Sequence, residues 1–285
     1  MEKLFVLMID LVKSKELDET SRYDVQTRMH LALEFINKHC KNKLVKSLSF
    51  SAGDSIQGLF SDVTTAYSTY LFIKYAVFPY TIRAGIGYGK VNVEMLVKFK
   101  SDNSNLYDGK AYHAAKEAID LAKKLDYEMV VHSENAFDHT VNHLINDGLF
   151  ISLTESRGAL LSLLNLIEPV YFNALTKQVN YYKDTLVFVE EIVKFYHERS
   201  RVSSDQKALF NKTLYKKLTQ SIEPVDYDLT NHESTISSEA REILVSLTSS
   251  TPQNIGAIIR GSNMDFIRKR LMARISLLQY FYGSE

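Results

Sequence analysis

The chain has 285 residues and a mass of 32.6 kDa, with 45% hydrophobic and 24% charged residues. That length suggests about two domains, and the balance excludes a disordered or fibrous chain. Lysine plus arginine and aspartate plus glutamate number 34 each, which excludes a uniformly basic nucleic-acid coat but not a local basic patch.

In chain order, Leu4 to Ile9 is a continuous apolar run closed by Asp10, the pattern of a strand covered on both faces. It is too short for a signal peptide, and no stretch approaches the ~20 apolar residues of a membrane helix. Cys40 stands alone, so no intramolecular disulfide and no cysteine-rich metal site can form. The expectation is a cytoplasmic protein without membrane contact. Asp18 to Cys40 places Val25, Met29, Ala32, Leu33, Ile36 and Cys40 on one helical stripe. Val45 to Phe50 and Ile56 to Phe60 predict a hairpin closed by Ser51-Ala52-Gly53-Asp54-Ser55. A helix over Val63–Tyr75 follows, then strands over Tyr80–Gly87 and Lys90–Val97. A polar loop over Lys98–Asp108, a helix over Gly109–Lys124 and a short strand over Glu128–His132 complete this part.

This alternation predicts an α+β sandwich with helices on one face of a mainly antiparallel sheet, over residues 1–132. After Ser133 the strand pattern stops. Leu160–Ile167, Val170–Val179 and Leu186–Tyr196 are expected to be helical, with Pro169 as a break. Residues 133–236 are read as a helical linker region and 237–285 as a C-terminal helix-turn-helix domain, with the polar stretch Ser221 to Ser238 reading as the linker where they join. The aromatic series Tyr171, Phe172, Tyr181, Tyr182, Phe188, Phe195 and Tyr196 is most simply helical core, or alternatively a dimer surface.

Two carboxylates stand out by position. Asp10 ends the first strand and Asp54 sits at the hairpin tip, so pairing of those elements brings both to one sheet edge. Two carboxylates at fixed separation can hold Mg²⁺ or Mn²⁺, which in turn carries a nucleoside triphosphate. The small residues Ala52 and Gly53 would let phosphates approach the backbone. Other patterns carry less. Gly85-Ile86-Gly87-Tyr88-Gly89-Lys90 has the glycines of a phosphate loop but no following helix, and is read as a bulge or a close backbone approach. His139 and His143 have metal-ligand spacing but no third ligand, and are read as two exposed polar residues.

The segments FVLMIDLVKS (5–14), FSAGDSIQGLF (50–60), IRAGIGYGKV (82–91) and YDGKAYHAAKEAI (107–119) together resemble the class III nucleotidyl cyclase homology domain. They are closer to its SatD-like branch, small bacterial proteins in which this domain precedes a helix-turn-helix. The resemblance covers Leu4 to His132 and implies a ferredoxin-like, palm-type fold. It implies that Asp10 and Asp54 are the metal ligands and that Leu11 offers backbone groups to metal and phosphate. Arg83 falls on the arginine of the family's R-x-G-I strand, with a structural ion pair as an equal alternative; Gly53 at the hairpin tip and Lys116, the cation next to Glu117 but about 100° away around the helix, are the other expected nucleotide contacts.

The departures from active cyclases are as informative. The base-selecting lysine position is Phe50, and the second base-selecting position is Leu106. The helical asparagine and arginine positions are His113 and Glu117, and a glutamate has the wrong sign to meet developing phosphate charge. The metal half of the site is present and the transition-state half is not.

In the C-terminal block, Ala240–Leu247, Gln253–Ile259 and Met264–Tyr280 read as three helices, with Thr251-Pro252 as a helix start and Gly261-Ser262-Asn263 as the turn. Ile255, Ile258, Phe266, Ile267 and Leu271 are the expected core. Arg260, Arg268, Lys269, Arg270 and Arg274 cluster on or near the third helix, as in a helix-turn-helix that reads double-stranded DNA. Ser262, Asn263, Arg268 and Lys269 are the expected DNA contacts. Taken together, the sequence points to a homodimeric nucleotide- and Mg²⁺-binding regulator with a DNA-binding output. The alternative is an active nucleotidyl cyclase, a phosphorus–oxygen lyase making a signalling nucleotide.

Overall fold

The computed structural model describes residues 2–51, 53–92, 109–146, 155–169, 171–172, 181–199, 236, 240–242, 244–245, 252–261 and 264–283. The chain divides into two compact units, residues 1–152 with 273–285, and residues 153–272. The described residues 133–146 and 273–283 thus group with those of the first 132.

The first unit is a mixed α+β structure. Its elements are β1 (Glu2–Leu11), α1 (Glu19–His39), β2 (Leu44–Phe50), β3 (Ile56–Phe60), α2 (Val63–Val77), β4 (Ile82–Val91), α3 (Lys110–Leu125), β5 (Met129–His132) and α4 (Asp138–Asn146). The five strands are ordered β2-β3-β1-β4-β5. All neighbours are antiparallel except β4 and β5. β1 sits at the centre because its apolar run tolerates burial on both faces.

Register then sorts side chains by face. Val6, Met8 and Asp10 lie beside Gly87, Gly85 and Arg83, while Phe5, Leu7 and Ile9 lie beside Tyr88, Ile86 and Ala84. α3 covers the first set: Leu4, Val6 and Leu59 form one core with Ala111, Tyr112 and Ala115. α1 lies on the second face, where His30 stacks on Phe50. α2 joins it through the stacked pair Phe35–Phe72. The helices thus occupy both faces of the sheet, not one as expected. The reason is the glycine series in β4. A Cβ on Gly87 would lie 2.1 Å from the Ala115 nitrogen, and one on Gly85 would lie 2.6 Å from the Ala115 oxygen. Glycine on the strand and alanine on the helix let α3 lie directly on the backbone of β4. This is the close backbone approach that the glycine spacing suggested. The strand pair expected over Tyr80–Gly87 and Lys90–Val97 is instead one strand through Val91, because Tyr88 and Gly89 continue the ladder opposite Phe5 and Leu4. Residues 93–108 lie outside the described residues.

Helix starts follow local chemistry. Asp18 caps α1, accepting from the Ser21 amide at 2.7 Å. Asp62 caps α2, accepting from the Thr65 amide at 2.7 Å. Its carboxyl is held below the usual range: burial raises it, but the Thr64 and Thr65 hydrogen bonds and Lys43 outweigh that. Arg28 is fully buried on α1, its guanidinium bound to Asp24 and to the Phe78 carbonyl. Cys40 is buried, and desolvation pushes its thiol up to about 12.

In the second unit, α5 (Glu155–Ile167) packs with α6 (Tyr181–Arg199), and α7 (Pro252–Gly261) is followed by α8 (Met264–Tyr282), whose residues from Ala273 on belong to the first unit. The helix expected over Val170–Val179 falls almost wholly outside the described residues, as does the stretch Ser221–Ser238 apart from Ile236. No described helix is long and apolar enough to cross a membrane.

Candidate functional site

The site is built where β1 ends. Ile9 pairs with Ile56, so the next residues outward, Asp10 and Ser55, meet at the mouth of the hairpin. The Ser55 hydroxyl donates to Asp10 Oδ1 at 2.6 Å. Asp54 follows on the turn, next to Gly53 in the left-handed region at φ 65°. A glycine there keeps the tip open, since nothing lies within 4 Å of where its Cβ would be. Asp54 Oδ2 is buried and has no hydrogen-bond partner. A buried carboxylate oxygen without a donor is costly, and a bound cation or a phosphate-bearing cation complex would satisfy it.

Asp10 is partly open to solvent, its side chain 28% exposed, and both of its oxygens are engaged. Opposite the serine, Lys123 Nζ approaches Asp10 Oδ2 at 3.0 Å. This lysine is on the last turn of α3, on the same face of the sheet as Asp10. Sequence reasoning missed it and chose Lys116 instead. Lys116 is exposed two turns earlier, about 10 Å back along the helix axis. The packing of α3 along β4 brings the end of the helix, not its middle, to Asp10.

Arg83 is directly across from Asp10 in the ladder. Its guanidinium turns outward to the Tyr127 carbonyl and the Asp126 carboxylate, both at 3.0 Å. The ion-paired alternative for Arg83 is the one realised, although the residue still lies beside Asp10. Leu11 has its side chain buried and its backbone in register with Ile82. Glu117 meets His132 Nε2 at 3.0 Å and His113 is exposed, so neither supplies positive charge to the Asp10 edge. Among the described residues no group of three or more histidine, cysteine, aspartate or glutamate side chains is placed to hold a metal. A cation here would rest on Asp10 and Asp54, with backbone, water or ligand oxygens completing its shell.

The family model for the SatD family matches residues 4–184, from the first strand into α6. The chain belongs to the SatD family. No curated protein and no solved structure matches it significantly. The SatD match thus contains the whole Asp10 site and excludes the C-terminal helices.

In those helices the expected DNA face is corrected. Arg268 is 0% exposed and pairs with Glu168 at 2.7 Å. It also donates to the Glu168 carbonyl at 3.0 Å. Arg274 is buried as well, against the Tyr67 hydroxyl, which is pushed up to about 12 by burial, partly offset by that guanidinium. Conversely Phe266, expected in the core, is 54% exposed with Arg270 over its ring. Ile255 and Leu271 are buried as expected. Lys269 and Arg260 are exposed, and Ser262 and Asn263 lie outside the described residues.

Proposed function

We propose that the sheet domain of this SatD-family protein binds a divalent cation and a nucleoside triphosphate at the Asp10–Asp54 edge. The observation that carries this reading is the buried, unpartnered Oδ2 of Asp54, one residue from the serine that grips Asp10. The β-α-β-β-α-β path with order β2-β3-β1-β4 supports a ferredoxin-like palm. Mg²⁺ or Mn²⁺ would supply charge neutralisation for a polyphosphate. Asp10 and Asp54 would hold the cation, the open tip at Gly53 would admit phosphate oxygens, and Leu11 would offer backbone groups.

Binding without turnover is the favoured form. In a cyclase, the ribose 3′-hydroxyl attacks the α-phosphate and pyrophosphate leaves, and that transfer needs a cation at the leaving charge. At the helix position where active cyclases carry that cation this chain has Glu117, of the opposite sign, and Arg83 is engaged by Asp126, so neither of these two residues supplies it. The test is thermal shift with each nucleoside triphosphate and Mn²⁺, run beside chromatography of the products. Stabilisation with intact nucleotide supports sensing; release of pyrophosphate supports the cyclase alternative; no stabilisation by any of them refutes the site.

A second reading, a DNA contact by the C-terminal helices, rests on exposed Arg260 and Lys269 flanking the α7–α8 junction. Changing both to alanine should lower duplex affinity and flatten its salt dependence by roughly one log unit per log unit of salt for each lost contact. A homodimer as the working form is supported by the exposed aromatics Phe137 and Tyr280, and sedimentation of the full chain tests it.

A further inference from the structure

Asp10 is the carboxylate on which the cation reading depends, yet its charge is already matched. The Lys123 ammonium sits 3.0 Å from Oδ2, and Ser55 occupies Oδ1. Asp54 Oδ2, by contrast, is buried with nothing donated to it. One carboxylate of the pair is neutralised by a tethered cation and the other is not. Lys123 is half exposed on the final turn of α3, with a long, freely rotating stem, so the ammonium can leave Asp10 without disturbing the helix. An exposed ion pair of this kind is weak, of the order that a divalent ion overcomes.

We infer that Lys123 is a hand-over residue: its ammonium holds Asp10 while the site is free of cation, and turns to the polyphosphate when a divalent ion takes the carboxylate. The inference rests on the cation reading of the Asp10–Asp54 edge. Two consequences have opposite sign. The ammonium competes with a bare cation for Asp10, so the cation alone binds weakly. The displaced ammonium then adds a charge-assisted contact to phosphate oxygens, so cation and polyphosphate bind together better than either alone. Arg83 is the less free of the two cations, its guanidinium held by both the Tyr127 carbonyl and the Asp126 carboxylate.

The experiment uses the full chain, free Mn²⁺ followed by electron paramagnetic resonance, and inorganic tripolyphosphate as the anionic probe. Lys123→Met keeps the apolar stem and removes the charge. It should bind Mn²⁺ alone about fivefold more tightly. It should bind tripolyphosphate in the presence of Mn²⁺ about tenfold more weakly. Lys123→Arg should restore the second property. Loss of both affinities together would show a merely structural lysine and overturn the inference, as would no change in either. Mn²⁺ bound by the wild type and unmoved in Lys123→Met overturns the hand-over alone. Mn²⁺ bound by neither protein overturns the cation reading itself.

Discussion

Gly87→Ala adds one methyl group where β4 meets α3, and its effect can be worked from distances. The new Cβ would lie 2.1 Å from the Ala115 nitrogen, 2.2 Å from the Ala111 oxygen and 2.7 Å from the Ala114 carbonyl carbon. All three are backbone atoms of a regular helix, so no side chain can rotate away. Restoring ordinary contact at 3.4 Å requires the helix to retreat by roughly 1.3 Å, which opens the core formed by Leu4, Val6, Ala111 and Ala115. Overpacking typically costs about 1–3 kcal/mol, and an unyielding backbone puts this case at the upper end, about 3 kcal/mol. The intrinsic gain of alanine over glycine in a strand is less than about 1 kcal/mol, so the clash wins. Gly89→Ala is the internal control, since its nearest neighbours stand at 3.0 Å and lie at the first turn of α3. Urea denaturation of both variants measures the difference. The same retreat draws Lys123 away from Asp10, so Mn²⁺-dependent stabilisation by nucleotide should change in Gly87→Ala and not in Gly89→Ala. A Gly87→Ala protein within 0.5 kcal/mol, about the error of such comparisons, of wild type would refute the close packing of α3 on β4.

Three further outcomes are expected. Asp54→Asn should abolish Mn²⁺-dependent stabilisation by nucleotide in thermal shift while leaving the cation-free melting point unchanged or higher, because a neutral amide is easier to bury than an unpartnered carboxylate. Asp62→Ala should cost about 1 kcal/mol at neutral pH by removing the α2 cap. Because the folded carboxyl is held below its ordinary value, that contribution is present above about pH 4 and fades as pH falls through the depressed range, so wild type and variant should converge in acid denaturation. Arg268→Met should remove the buried charge that faces Glu168 and cost about 3 kcal/mol, read by circular dichroism; a fully stable variant with reduced DNA affinity would instead place Arg268 at a surface.

Apolar runs and the 3.6-residue period in the sequence located most of the strands and helices described within residues 2–132, since each pattern reflects a face that its own segment must bury. The strand-end position of Asp10 and the hairpin position of Asp54 were legible for the same reason: the polar stretch Ser51–Ser55 separates two apolar runs that pair next to it, Phe50 with Ile56. What the sequence did not disclose depends on segments far apart in the chain. Lys116 and Lys123 are equally cationic and equally helical, and only the seating of α3 on the glycines of β4 decides which one reaches Asp10, a partner 113 residues away. Arg268 and Lys269 are neighbours in one basic run, but Arg268 is buried because Glu168, 100 residues earlier, meets its side of the helix. A charged residue carries no local mark of burial: its desolvation is offset by a partner that only tertiary packing supplies.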